Sequence, residues 1–241
     1  MVYNTDKFSH TRPNAGVTIA PFIYKEGEIK VLLYKRAKDA AVYQDVFCLP
    51  NRFFDITEFD TMEDAAHYAL KEKTNVSISR SLVQFHAFSG KYIDPTRITT
   101  INLGFYSILR ESEVSECLKN QPFETVWMKV EDALKLNLAF NHNEVLEMAY
   151  KKLKYAAEYT TSPIHFLDEK FTINELRELT EFLIDQKLDN SRYRSRIQSS
   201  GILIECEGEK VKKGSFRPSQ LYTYNEKYTG CFYPKSVTSA R

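Results

Sequence analysis

Leu49 to Val76 reads LPNRFFDITEFDTMEDAAHYALKEKTNV, and this stretch decides the fold of the 241-residue chain. Met62, Ala65, Ala66, Ala69 and Leu70 recur at helical spacing between Thr61 and Lys73, which predicts an amphipathic helix. Thr61 suits its N-cap, and Asp64 stands three residues on, where a capping box needs a carboxylate. Glu58, Asp60, Glu63, Asp64 and Glu72 are the acidic residues in and around this helix, with Lys71 and Lys73 beside the last of them. Carboxylates one turn apart on a helix converge on a divalent cation. One carboxylate next to an ammonium does not, because at close range the ammonium repels the metal by about a kcal/mol or more.

Outward from this helix the chain alternates strands and helices. Val17 to Tyr24 (VTIAPFIY) and Ile29 to Tyr34 (IKVLLY) read as a hairpin turning at Lys25 to Glu28. Val83 to Phe88, Thr99 to Leu109 and Thr125 to Lys129 read as further strands. Asn143 to Tyr159 is an amphipathic helix with Val145, Leu146, Ala149, Leu153 and Ala156 on one face. Thr160 to Pro163 marks a boundary. Beyond it come a helix from Thr172 to Ile184, boxed by Thr172 and Glu175, and a second helix capped by Asp189 and closed at Gly201. A strand at Ile202 to Glu205, a basic loop from Gly208 to Pro218 and a return strand from Gln220 to Tyr224 complete the pattern. Helix, helix, hairpin is the order of a winged helix-turn-helix. The expected fold is therefore α+β, a mixed sheet packed by helices and then a winged helix, with boundaries at 1–159, 160–228 and a 229–241 tail.

Composition narrows the class. Residues 186–241 hold 11 Lys and Arg against 5 Asp and Glu, while residues 1–185 hold 22 against 27. An acidic front and a basic back fit a sensor joined to a nucleic-acid binder. The four cysteines, Cys48, Cys117, Cys206 and Cys231, are scattered, which argues against a zinc site or a disulfide framework. The first ten residues lack the apolar stretch of a signal peptide, and no apolar run approaches the ~20 residues of a membrane span, so a cytoplasmic protein with no membrane partner is expected.

The segment Tyr68-Ala69-Leu70-Lys71-Glu72-Lys73-Thr74-Asn75-Val76 resembles the end of the Nudix box, R-E-U-x-E-E-x-G-U, in which U is aliphatic. Leu70 and Val76 keep the aliphatic frame. Of the three glutamates only Glu72 remains; Ala69 and Lys73 replace the others, and Asn75 replaces the glycine. Leu49-Pro50-Asn51-Arg52-Phe53 stands where that family has LPGGF, and Leu32-Leu33-Tyr34-Lys35-Arg36 resembles its LLxKR strand end. Asp94-Pro95-Thr96-Arg97 and Phe140-Asn141-His142-Asn143-Glu144 resemble the DPRGR and FDHAEI segments of the Nudix-related transcriptional regulators. The tail is similar as well: Phe171 to Leu179, Leu188 to Ile197 and Arg217 to Tyr222 follow the order of that group's C-terminal domain.

The resemblance implies a DNA-binding transcriptional regulator whose catalytically inactive front half binds a small phosphorylated effector of nucleotide, ADP-ribose or sugar type. It implies a homodimer formed through that half and no cofactor. Arg36, Arg52, Arg97 and His142 are the effector-binding candidates; Ser191, Arg192, Arg194, Arg196, Lys210, Lys212, Lys213 and Arg217 are the candidates for double-stranded DNA. In a helix-turn-helix the second helix enters the major groove, where Arg reads guanine and Lys or Ser fixes phosphates. Arg192 and Arg196 share a face and Arg194 points the opposite way, while Tyr193 and Ile197 share a face suited to the core. Two other readings stand beside this one: a Nudix hydrolase with a magnesium site relocated to Glu58, Asp60, Glu63, Asp64 and Glu72, and a protein-interaction module.

Overall fold

The hairpin that opens the sheet turns where the sequence places it. Strand β1 (Asn14–Lys25) pairs antiparallel with β2 (Glu28–Lys35), with Phe22 opposite Val31 and Lys25 opposite Glu28. Glu26 and Gly27 both have positive φ, 57° and 79°, the backbone that a tight two-residue hairpin requires. A computed structural model describes residues 13–90, 100–114, 121–212, 217–228 and 237–238.

Around β1 the sheet is mixed. Two short strands, β3 (Phe47–Cys48) and β4 (Asn51–Phe53), flank Leu49-Pro50 and pair with β2 and β1. Strand β5 (Val83–Gly90) lies antiparallel to β6 (Thr100–Leu109), and β6 runs parallel to β1 along ten aligned pairs from Asn14 and Thr100 to Ile23 and Leu109. Strand β7 (Thr125–Lys129) closes on β2. Pro21 lies in the middle of β1, yet it falls between the β4 pairing at Gly16 to Thr18 and the β2 pairing that starts at Phe22. A residue without an N–H belongs in such a gap.

Strand alternation splits the core in two. Val17, Ile19, Ile23, Leu32 and Phe105 face helix α1 (Met62–Thr74), which buries Ala65, Ala66 and Leu70 against them. Ala20, Phe22, Ile29, Val31, Leu33 and Ile108 face the opposite side. After the one-turn helices α2 (Glu111–Val114) and α3 (Val130–Ala133), helix α4 (His142–Tyr159) covers that second face with Val145, Leu146, Ala149 and Leu153. Thr61 and Asp64 form the expected capping box on α1. At its other end Asn75 takes φ 57° and donates to the Lys71 carbonyl at 2.8 Å, so an asparagine fills the left-handed position where a Nudix box carries glycine.

Past a 3-10 turn at Ser162–Phe166 come α5 (Ile173–Ile184), α6 (Asn190–Ser199), β8 (Leu203–Val211) and β9 (Ser219–Tyr224). The Thr172–Glu175 box and the Asp189 cap form as expected, and Tyr193 and Ile197 enter a separate core with Leu176, Ile202 and Tyr222. Gly201, at φ 75°, follows the C-cap Ser200. A Phe171–Tyr222 bridge ties the entry to α5 onto the hairpin.

One expectation is corrected: the hairpin loop does not begin at Gly208. Strand β8 continues to Val211, because Gly208 at φ 76° lies within an irregularity of the register between Glu205 and Lys210 and pairing with β9 then resumes. Lys210 therefore stands on the strand, opposite Gln220.

Gly104 on β6 lies beneath two rings; a Cβ there would come within 2.6 Å of Phe85 Cζ and 2.9 Å of Phe88 Cε2. Both rings belong to the β5 side of the core, so neither swings freely. We predict that Gly104→Ala loses roughly 1–3 kcal/mol of stability in urea denaturation; unchanged stability would show that β5 is packed more loosely than this.

Candidate functional site

Four separate elements bring polar side chains to one cleft beside α1. Gly16 and Thr18 come from β1, Thr100 and Asn102 from β6, Asn51 to Phe53 from β4, and Glu72 and Lys73 from the last turn of α1. Tyr34, Arg36 and the Phe140-Asn141-His142 turn close the other side, around a cavity of about 430 Å³. The parallel register of β1 and β6 sets Gly16 opposite Asn102, and Asn102 Nδ2 donates to Thr18 Oγ1 at 2.8 Å. A Cβ at Gly16 would come 3.2 Å from Asn102 Oδ1 and 3.3 Å from the Arg52 carbonyl, so glycine keeps that wall open.

Cations surround the opening. Arg52 lies over a pair of neighbouring rings, its guanidinium carbon 4.5 Å from the centroids of both Phe59 and Tyr68, and it pairs with Glu58 at 2.7 Å. Arg36 lies 5.0 Å over the Phe140 ring and donates from Nε to the Val42 carbonyl at 3.1 Å. Among the described residues it forms no ion pair. Lys73 pairs with Glu72 at 3.1 Å and stands 5.4 Å from the Phe123 centroid.

His142 begins α4 and forms part of the cleft wall. Its Nδ1 accepts the Leu49 N–H at 3.0 Å, which fixes the neutral ring with only Nε2 available to a ligand. Burial, with Arg36 nearby, pushes its pKa down to about 3. Before it, Phe140 adopts φ 58°, uncommon for a bulky residue, and its ring packs on Tyr43 and His142. Asn141 Oδ1 is buried with no hydrogen-bond partner. A polar atom left so at a cleft is suited to a ligand hydroxyl or amine.

The residues present do not fit a divalent metal. Glu58 is bound to Arg52, Glu72 to Lys73, and Asp64 to the Thr61 cap. Glu63 accepts the Leu82 N–H at 2.7 Å. Among the described residues, no three His, Cys, Asp or Glu side chains are grouped to hold a metal ion. Cys48, beneath the cleft, is buried, and burial pushes its thiol up to about 12, so it stays protonated.

The second candidate surface is α6. Ser191, Arg192, Arg194 and Ser195 are exposed and Arg196 is half-buried. Arg192, Ser195, Arg196 and Ser199 line one groove, which also includes Val237 and Thr238 of the tail. Val237 N–H donates to the Glu158 carbonyl at 3.0 Å, and Thr238 Oγ1 donates to Glu158 Oε1 at 2.6 Å. The tail thus returns to the end of α4 beside the arginine face. Arg194 projects from the other side of the helix. On the hairpin, β8 exposes Glu205, Glu207 and Glu209 before it reaches Lys210, with Lys212 just past its end, and Glu209 pairs with Lys170 at 2.7 Å. Arg217 opens into a groove with Glu175 and Glu178 of α5.

Of the effector candidates, Arg36, Arg52 and His142 meet in the cleft; Arg97 lies outside the described residues, as does Lys213 among the DNA candidates. Sequence reasoning missed Gly16, Thr18, Asn51, Asn102 and Asn141 as cleft residues. Thr18 and Asn102 meet only because two distant strands run parallel, which leaves no local signature. Among the described residues no helix is long and apolar enough to cross a membrane.

Comparison with known proteins agrees with this architecture. Residues 163–224 match the NrtR DNA-binding winged helix domain family. The ADPR responsive transcriptional repressor NtrR of Acinetobacter baylyi is 27% identical over 218 residues, which is 90% of this chain and 84% of that protein. The crystal structure of Shewanella oneidensis NrtR complexed with a 27mer DNA superposes with a TM-score of 0.80 at 24% identity, covering 92% of this chain and 98% of that one. The NUDIX domain of the same Shewanella protein, complexed with ADP ribose, gives 0.51 at 22% identity over 62% of this chain and 94% of its own. The fold is a Nudix-like domain followed by a winged helix.

His142 yields a prediction for pH. Its folded pKa lies below the ordinary 6.5, so the unfolded chain binds a proton that the native chain refuses. Stability is then complete above pH ~6.5 and falls as pH drops toward 3, by up to ~1.4 kcal/mol per unit for this one residue. His165, pushed down to about 4 chiefly by burial, adds in the same direction. We expect urea titrations from pH 7 to 4.5 to show this loss, and His142→Gln to flatten it. An equal slope in the variant would mean that His142 is protonated in the folded chain.

Proposed function

We propose that this homologue of the NrtR-type regulators is a DNA-binding transcriptional regulator whose Nudix-like domain, residues 1–159, senses a small phosphorylated metabolite and whose winged helix, residues 160–228, binds duplex DNA. The observation that carries the proposal is that a single helix, α4, starts in a cation-lined cleft and packs on α5, the helix that in turn packs against the arginine-faced α6 of the winged helix. Arg36 and Arg52 hold the anionic part of the effector, and Asn141 accepts from its hydroxyl or amino groups. ADP-ribose is the first ligand to test, since a relative is named for its response to it and another was crystallised with it.

The chain is not a hydrolase in this reading. Glu58, Glu63, Asp64 and Glu72, four of the five carboxylates of a relocated magnesium site, are already held by cations, backbone or cap. On the DNA side, Arg192, Ser195 and Arg196 form the reading face of α6, Arg194 reaches phosphate, and Lys212, Lys213 and Arg217 touch the backbone from the wing. Reading a palindromic site makes the working form a homodimer in the cytoplasm.

Two measurements test this. In thermal-shift assays ADP-ribose raises the melting temperature by mass action, and Arg36→Ala removes most of that rise; an equal shift in the variant excludes Arg36 as the anion anchor. In anisotropy titrations on duplex DNA, Arg192→Ala with Arg196→Ala weakens binding at least about tenfold and lowers the salt slope by up to ~2. Affinity and slope equal to the parent's would place the DNA elsewhere.

A further inference from the structure

We propose that Lys73 takes the place of the metal in the cleft: its ammonium, with Arg36 and Arg52, neutralises the diphosphate of the ligand, so that binding needs no divalent cation. This deepens the effector reading above and rests on it.

Lys73 occupies the last glutamate of the Nudix box, on the turn of α1 that lines the cleft. Its side chain does not trail into solvent; it is only 20% exposed, and its ammonium stands over the Phe123 ring, 5.4 Å from the centroid. The charge is therefore held at the point where the fold otherwise brings a carboxylate to a metal. A dication placed there would meet the ammonium head-on, and among the described residues no three His, Cys, Asp or Glu side chains are grouped to hold it. An anion meets the opposite situation. Three cations line the cavity, and Arg36 has no carboxylate partner among the described residues. Glu72 is 39% exposed and Glu58 54%, so each can turn to water while a phosphate takes its cation. Binding then proceeds by exchange of ion pairs, with no need to recruit a metal.

Lys73 and Arg36 belong to different walls, α1 and the end of β2, and a single phosphate bridges them less well than two linked phosphates. A diphosphate with a hydroxyl-bearing group for Asn141 fits best.

Calorimetric titration of the full chain with ADP-ribose and, separately, inorganic pyrophosphate, each in EDTA and in excess Mg²⁺, tests this. The expected result is an ADP-ribose Kd that agrees within about twofold between EDTA and Mg²⁺, with pyrophosphate weaker but equally indifferent to metal. Lys73→Met, which keeps an unbranched apolar stem but removes the charge, is expected to weaken binding at least tenfold in EDTA while leaving the unliganded melting temperature near that of the parent. Lys73→Glu is expected to abolish binding in EDTA and to recover part of it in Mg²⁺. Binding by the parent chain only in Mg²⁺ would overturn the role of Lys73 and leave the cleft reading in place, as would parental affinity in Lys73→Met. Failure of both probes under both conditions would overturn the cleft reading together with this one.

Discussion

Helix α5 is buried in two cores at once, and the rest of the molecule depends on it. Leu179 and Leu183 pack with α4 and the sheet, while Leu176 packs with Tyr193, Ile197 and Ile202 of the winged helix. Thr180 Oγ1 lies 3.1 Å from Tyr193 Oη across the joint between α5 and α6. Glu181, 5% exposed, is the one acidic residue in that joint taken nearly out of water. A carboxylate so placed costs several kcal/mol unless it is satisfied. It binds Arg177 at 2.5 Å and Lys187 at 3.1 Å, and accepts the Leu188 N–H at 2.9 Å, which fixes the turn into α6. Burial pushes its pKa up, but the Leu188 N–H and these two cations outweigh that and hold the carboxyl below its usual range. The angle of the arginine face relative to the sheet follows from these contacts.

Helix α4 supplies the other half of the linkage. It has 18 residues, about 27 Å of continuous rise. His142 at its start shares the cleft with Arg36 and is pinned to Leu49. Glu158 near its end holds the returning tail, and Val237 inserts into the winged-helix core. Packed cores resist continuous deformation, so a small shift at one end of such a helix has to be taken up at the other. Occupancy of the cleft influences DNA only if ligand favours one arrangement of α4 and α5 over another. The strained Phe140, at φ 58° between cleft and helix, is the natural place for two arrangements to differ.

Much of the frame is legible in the residues themselves. Both capping boxes, the β1–β2 hairpin, the apolar faces of α1 and α4 and the Tyr193–Ile197 face of α6 follow from local spacing. The losses at Ala69 and Lys73 can be read without coordinates. The extent of β8 cannot, because its run of charged residues around Gly208 has the composition of a turn; its pairing comes from β9, beyond the reach of local signals. The cleft is legible only in part for a similar reason. Arg36 and Arg52 stand in recognisable segments, but Thr18 and Asn102 come together through a parallel pairing 84 residues apart in sequence. The orphaned acceptor of Asn141 depends on atomic surroundings that no spacing encodes.

In the proposed function the cleft and the α6 surface form one coupled system. Measuring the affinity of the full chain for a duplex enriched from a random library, at rising ADP-ribose and fixed salt, tests it most directly. The account predicts that the DNA Kd shifts by roughly 5- to 150-fold and levels off at saturation, with the same factor appearing in the ligand Kd when DNA is present. A DNA Kd that stays constant while ADP-ribose demonstrably fills the cleft would contradict it.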